Sequence, residues 1–250
     1  MTGAPDGVAR FPYDPSIAAW AGAARGIAEA ALAATGAGWR HGGTWFAGVN
    51  VLPNGPDGGL PGHPLAGAVI DALAARGDAP ARWDRAQISA VAPGYPGRDP
   101  GESDAQHRFR RDRAGAHVDG LLPVGPARRR MLKEAHGFIL GLPLTEVTEC
   151  CSPMIAWCGS HRIIGAALGA ALSDHPRDMW PEIDLTEAYH AARREALATC
   201  RPVPLLCRPG EAYLVHRHTL HGIAPWAGGP DASPRIIAYF RPEIPVTAWI

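Results

Sequence analysis

The chain has 250 residues, 24 basic and 24 acidic side chains, a formal net charge of zero and 46% hydrophobic residues. That length suits one large β domain or two small ones, and the balanced charge implies neither a nucleic-acid-binding surface nor an acidic partner. All but one of the basic residues are arginine (Lys133 is the exception), which with the heavy Ala, Gly and Pro usage points to coding-genome base composition and not to function.

Residues 15–35 are Ala-rich with apolar residues at helical spacing and Gly36 as a stop signal, which predicts a helix. Residues 37–63 cluster Gly, Pro, Asn and Asp and read as loop, with no phosphate-loop lysine and hence no nucleotide site. A second helix is expected over 64–77, ending at Gly77. Alternation over 86–92 predicts a strand. Residues 93–115 read as a polar loop rich in Pro, Gly and Arg, its basic cluster Arg108–Arg113 interrupted by Asp112. A short helix is expected near 126–135, then strands over 137–149 and 154–158. Residues 184–200 look helical, with Asp184 as N-cap and Glu187 completing a capping box. Strands over 203–207, 211–216 and 235–241 close the chain. Helices followed by many short strands predict a mainly β fold, a jelly roll with helices packed outside, in a single domain over 1–250 with a helical and loop part at 1–85 and the core at 86–250.

The first residues show no basic segment before an apolar core, and no stretch is apolar for long enough to span a bilayer, so a cytoplasmic chain without a membrane partner is expected. Cys150, Cys151, Cys158, Cys200 and Cys207 are odd in number and form no paired CxxC, which predicts reduced thiols and no zinc site; Cys150-Cys151 reads as a buried pair.

His117-Val118-Asp119 carries the chemistry. On an extended segment residues two apart share a face, so His117 and Asp119 can reach one ion while Val118 points away. A third ligand must come from elsewhere, and His216, His218 and His221 are the candidates. His221 is preferred because Leu220-His221-Gly222 sits where a strand meets a turn and Gly222 permits close backbone approach; His216 and His218 are held in reserve. Two histidines and one carboxylate occupy one face of an octahedral ion and leave other positions open, as at oxygen-activating non-haem Fe(II). Arg235, on a predicted strand, has the planar fork suited to a dicarboxylate's far end; Arg241 on the same face is the fallback, with a surface end-of-strand role expected. Gln87 is a candidate contact to the same co-substrate and Trp157 to the substrate. The adjacent Ser160 and His161 are not read as a nucleophilic pair, since neighbours on a tight turn diverge; a hairpin turn accounts for Gly159-Ser160.

At these residues the chain resembles the phytanoyl-CoA dioxygenase-like branch of the Fe(II)/2-oxoglutarate-dependent oxygenases. Pro93-Gly94 followed by His117-Val118-Asp119, the segment Ile155–Arg162 with Cys158 in place of a proline, Gly210–His216 followed by Thr219–Gly222, and Arg235 match that family in order over about residues 86–242. The chain departs from the family in the lengthened spacing from His221 to Arg235 and in Ile223, where a small polar residue is common. The resemblance implies a double-stranded β-helix, Fe(II) held by His117, Asp119 and His221, 2-oxoglutarate anchored by Arg235, and O2 as oxidant. It implies oxidation of an unactivated C–H of a small molecule with release of succinate and CO2, and the carboxylate of Asp119 favours hydroxylation or another non-halogenating oxidation. A cupin-like metalloenzyme without 2-oxoglutarate and a non-catalytic binding relative are the alternatives.

Overall fold

The computed structural model describes residues 6–34 and 38–250; the predicted stop at Gly36 lies outside them. Helix α1 (Pro15–Ala34) opens with proline, whose missing N–H costs nothing in a first turn. It buries Ile17, Trp20, Ala21, Ala24 and Ala28, a spacing of three to four that makes one apolar stripe. Asp14 ties this helix to α2 (Ala68–Ala75) by accepting from the backbone N–H of Ser16 and of Ala68.

Seven strands form one antiparallel sheet. They are β1 (Val8–Phe11), β2 (Trp39–Arg40), β3 (Trp45–Gly48), β4 (Gln87–Val91), β7 (Phe138–Pro143), β10 (Ala212–His216) and β12 (Arg235–Phe240), in the order β1-β10-β7-β12-β4-β3-β2. A smaller antiparallel sheet holds β8 (Met154–Cys158) between β11 (His221–Ile223) and β9 (Arg201–Pro204). Together they make the expected jelly roll. Strand β12 shows how one sequence serves two layers. Its alternate residues Ile236, Ala238 and Phe240 pack with Trp20 and the rest of the α1 layer. Ile237 and Tyr239 face the other way, into a cluster with Ile139, Met154, Ala156 and Val215 between the two sheets. Each fully buried Leu, Ile or Phe in these layers contributes about 1.5–3 kcal/mol.

Several expectations fail for identifiable reasons. The 37–63 loop contains β2 and β3, because Trp39 and Phe46 pair across strands and Trp45–Gly48 adds to the edge of β4. The 93–115 loop contains helix α3 (Asp104–Asp112), opened by a reciprocal capping box between Ser103 and Gln106. In place of a helix at 126–135 there is a hairpin of β5 (Leu121–Val124) and β6 (Arg129–Leu132), in register Leu121 with Leu132. Helix-favouring arginines yield there because Arg130 gives its N–H to Thr186 Oγ1 and its carbonyl accepts from Leu185. Gly159-Ser160 is no hairpin turn: Gly159, at φ 87°, is the left-handed entry to α4 (Ser160–Leu172). Helix α5 (Thr186–Thr199) starts two residues after Asp184, which accepts from the Thr186 N–H and hydroxyl; Leu185 takes the cap position and no capping box forms. Cys150 is exposed and Cys151 half-buried, since the chain turns there and the Cys150 carbonyl accepts from Ala227 and Gly228. No helix among the described residues is long and apolar enough to cross a membrane.

Candidate functional site

His117 and His221, about a hundred residues apart in sequence, are bridged by two backbone hydrogen bonds of 2.8 and 2.9 Å. Ile223 N–H donates to Ala114 in the same strip, and a Cβ on Gly222 would overlap the Ala114 carbonyl; glycine is required there by close approach. Asp119 follows His117 by two residues, and the three side chains offer ligand atoms that lie within 4.8 Å of one another. The Asp119 Oδ1 stands 3.5 Å from His117 Nε2 and 3.7 Å from His221 Nε2.

The far side of each imidazole is committed. His117 Nδ1 lies 3.0 Å from the Gly115 carbonyl and His221 Nδ1 2.9 Å from the Thr219 carbonyl. A carbonyl can only accept, so Nδ1 carries a proton in each ring and Nε2 is the atom that faces the cluster. Burial alone would raise the Asp119 carboxyl, but the facing imidazoles of His117 and His221, with the charge of Arg241, hold it well below the usual range. Burial would lower His221, yet Asp119 outweighs it and raises the imidazole. Such a donor set, nitrogen and oxygen without thiolate, fits a borderline divalent cation that displaces the His221 proton.

Ser160 holds this geometry from behind. Its fully buried hydroxyl donates to the Trp157 carbonyl at 2.6 Å and accepts from Leu220 N–H at 2.8 Å, tying α4 to the residue before His221. Ser160→Ala leaves both backbone groups buried and unpaired, so urea unfolding should show a loss of about 1–3 kcal/mol; an unchanged midpoint would deny the clamp.

The triad opens into a cavity of about 510 Å³ that also meets Gln87, Tyr239, Tyr189 and Arg241. Gln87 lines it as Oε1 acceptor to Arg241, whose guanidinium also lies 3.5 Å from Asp119 Oδ2. Arg241 is thus half-buried against a ligand of the triad and is not the expected surface charge. Arg235, 1% exposed, lies on the inward face of β12, and none of its three guanidine nitrogens has a hydrogen-bond partner among the described residues. Its charge opposes the upward pull of burial on the Tyr95 and Tyr239 phenols, which line the cavity; Tyr95 is pushed up to about 12. A buried cation without an acceptor is costly; Arg235 stands behind Tyr239 and is not itself among the residues that line the cavity.

Trp157 is 4% exposed within the packing of α4 and α5 and does not line the cavity. His216 and His218 lie apart from the triad, with ring centroids 5.3 Å from each other; His216 stands 5.1 Å from His161 and His218 packs on Trp249 at 4.6 Å. Burial, then the neighbouring Arg217 and His161 charges, pushes His216 down to about 3, and burial holds His218 far below the usual histidine range. The unfolded chain, with histidines near 6.5, binds more protons than the native one in that interval. Stability should therefore fall as pH drops from about 6.5 towards 3. His216→Gln should flatten that slope in urea titrations; an identical slope would place the acid sensitivity elsewhere.

Sequence reasoning did not single out His41, Tyr95, Phe109, Arg110, Arg130, Tyr189 or Arg193, all of which line the cavity. The i,i+4 pair Tyr189 and Arg193 shared a helix face legibly. Nothing in the sequence aimed that face at the metal loop, where the Tyr189 hydroxyl accepts from Val118 N–H at 3.3 Å.

No family model and no curated protein matches the sequence. Solved structures do match in fold. The non-haem α-ketoglutarate-dependent carbocyclase SnoK from nogalamycin biosynthesis is 17% identical with a TM-score of 0.51, over 94% of this chain and 79% of that one. AviO1 from Streptomyces viridochromogenes Tue57 is 16% identical with a TM-score of 0.51, over 95% of this chain and 90% of that one. In architecture the chain is similar to these proteins, with a His-Asp-His cluster at the mouth of its jelly roll.

Proposed function

We propose that this chain is a non-haem Fe(II)- and 2-oxoglutarate-dependent oxygenase of the phytanoyl-CoA dioxygenase-like kind, hydroxylating or otherwise oxidising an unactivated C–H of a small molecule. One observation carries the reading: a His-Asp-His cluster whose two Nε2 atoms face the Asp119 carboxylate shares its jelly roll with a buried Arg235 that has no acceptor for its guanidine nitrogens among the described residues. Metal binding alone would not need that arginine. The likeness to SnoK is consistent with the assignment.

His117, Asp119 and His221 would hold Fe(II). Arg235 would pair bidentately with the far carboxylate of 2-oxoglutarate. Gln87, its Oε1 engaged by Arg241, keeps its amide N–H groups to donate to the co-substrate. Arg241 orients the Asp119 carboxylate and partly offsets its charge. When bound, Fe(II) with 2-oxoglutarate and O2 supplies the oxidising power, giving succinate and CO2 as co-products. The remaining work of the chain is to hold the substrate C–H at the triad and to keep bulk water out; Tyr189, Phe109 and Trp45 provide the apolar wall.

Anaerobic titration with Fe(II) and then 2-oxoglutarate tests the reading. A visible metal-to-ligand charge-transfer band should develop in proportion to 2-oxoglutarate. Stoichiometric iron without any band at saturating 2-oxoglutarate would replace the oxygenase with a cupin-like metalloenzyme.

A further inference from the structure

The cavity wall carries four arginines, and their partners divide them. Arg110 is paired with Glu102, and Arg241 is engaged by Asp119 and Gln87. Arg130 and Arg193 have no acidic partner among the described residues. Arg130 spends one nitrogen on the Leu121 carbonyl at 3.2 Å, and Arg193 lies over the rings of Phe109 and Tyr189, 4.9 and 5.4 Å from their centroids. The acids of the same wall are committed elsewhere, Asp119 to the triad and Glu134 to His136 at 3.2 Å.

Both arginines are held firmly. Arg193 stands one turn beyond Tyr189 on α5, and Tyr189 binds the backbone between two ligands of the triad. Arg130 is locked to the first turn of that helix through Thr186 and Leu185. Two half-buried guanidinium groups with spare donors, beside aromatic faces and one side chain away from the metal loop, are built to receive an oxyanion on an apolar or aromatic body.

We propose that Arg193 and Arg130 form an oxyanion subsite that takes a carboxylate or phosphate of the substrate, holding that substrate against Tyr189 and Phe109 with its C–H at the His117, Asp119 and His221 cluster. This rests on the oxygenase reading above, in which the cavity is the substrate chamber. The substrate class is then a small aromatic or apolar carboxylic acid or phosphate monoester, and not a neutral hydrocarbon or a cation.

Calorimetric titration of protein loaded anaerobically with Fe(II) and saturating 2-oxoglutarate, so that Arg235 is occupied, tests this with benzoate, phenyl phosphate and uncharged benzamide as probes. At least one anion should bind about tenfold or more tightly than benzamide, and Arg193→Gln and Arg130→Gln should each weaken it by about tenfold. Tighter binding of phenyl phosphate assigns a phosphate ester, and tighter binding of benzoate a carboxylic acid. Arg193→Lys, which keeps the charge and loses the fork, should fall between wild type and Arg193→Gln. Equal binding of anions and benzamide overturns the subsite, as does wild-type affinity in both glutamine variants. Loss of anion binding in Arg235→Gln with retention in Arg193→Gln also overturns it, by placing the anion at Arg235. If no charge-transfer band forms in the wild type, the oxygenase reading fails, and the same titrations on metal-free protein still decide the subsite.

Discussion

Arg235→Met should make the ligand-free protein more stable and at the same time much less responsive to 2-oxoglutarate. The guanidinium is 1% exposed and without a hydrogen-bond partner among the described residues. Replacing such a buried cation by an unbranched apolar side chain removes its desolvation penalty and should raise stability by about 1–4 kcal/mol. The melting temperature should climb by about 2–4 °C for each kcal/mol. The wild type instead gains when its anion arrives: 2-oxoglutarate at a hundred times its dissociation constant should add about 2.7 kcal/mol. The variant should gain less than about 1 kcal/mol at the same concentration, its dissociation constant raised about 30-fold or more by loss of a buried charge pair. Thermal scans of both proteins with and without 2-oxoglutarate check all four values. An arginine that is merely structural would give the reverse signature, a destabilised variant that still responds to the co-substrate.

The second large effect is expected at Asp119. Asp119→Ala should weaken Fe(II) binding by more than about 100-fold, since removing even an outer-shell partner of a ligand costs 10–100-fold. Succinate formation should fall to background at any practical iron concentration. The same change strips Arg241 of its acidic partner, which should modestly destabilise the metal-free protein. Asp119→Asn separates the two effects: it keeps the shape and an acceptor for Arg241 but loses the charge, so folding should recover while iron affinity stays low. Iron bound by either variant as tightly as by the wild type would remove Asp119 from the metal site.

Much of this architecture could be read from the chain. The Ala-rich stripe of α1 and the alternating or apolar runs of β4, β7, β8, β10 and β12 announce themselves because burial imposes a period on local sequence. The His117-x-Asp119 spacing announces itself for the same reason, since two ligands on one extended segment need only backbone alternation. What escaped was structure stabilised by distant partners. Strands β2 and β3 are too short to persist alone and exist because the edge of β4 accepts them. The arginine-rich β6 has no strand pattern of its own and is extended because β5 and α5 hold it so.

By itself the sequence determined the ligand types, the pairing of His117 with Asp119 and the candidacy of Arg235, because each depends on residue chemistry or on neighbours along one segment. Only the tertiary structure supplies the reason for His221, which the sequence already preferred to His216 and His218: a backbone bridge lays it beside His117. It also took Trp157 out of the cavity and brought Tyr189, Arg193 and Arg130 into it. The helix meets the metal loop, and the hairpin meets the helix, through contacts between residues 71 and 56 positions apart. No local pattern encodes such contacts, because the free energy that selects them comes from packing the whole domain.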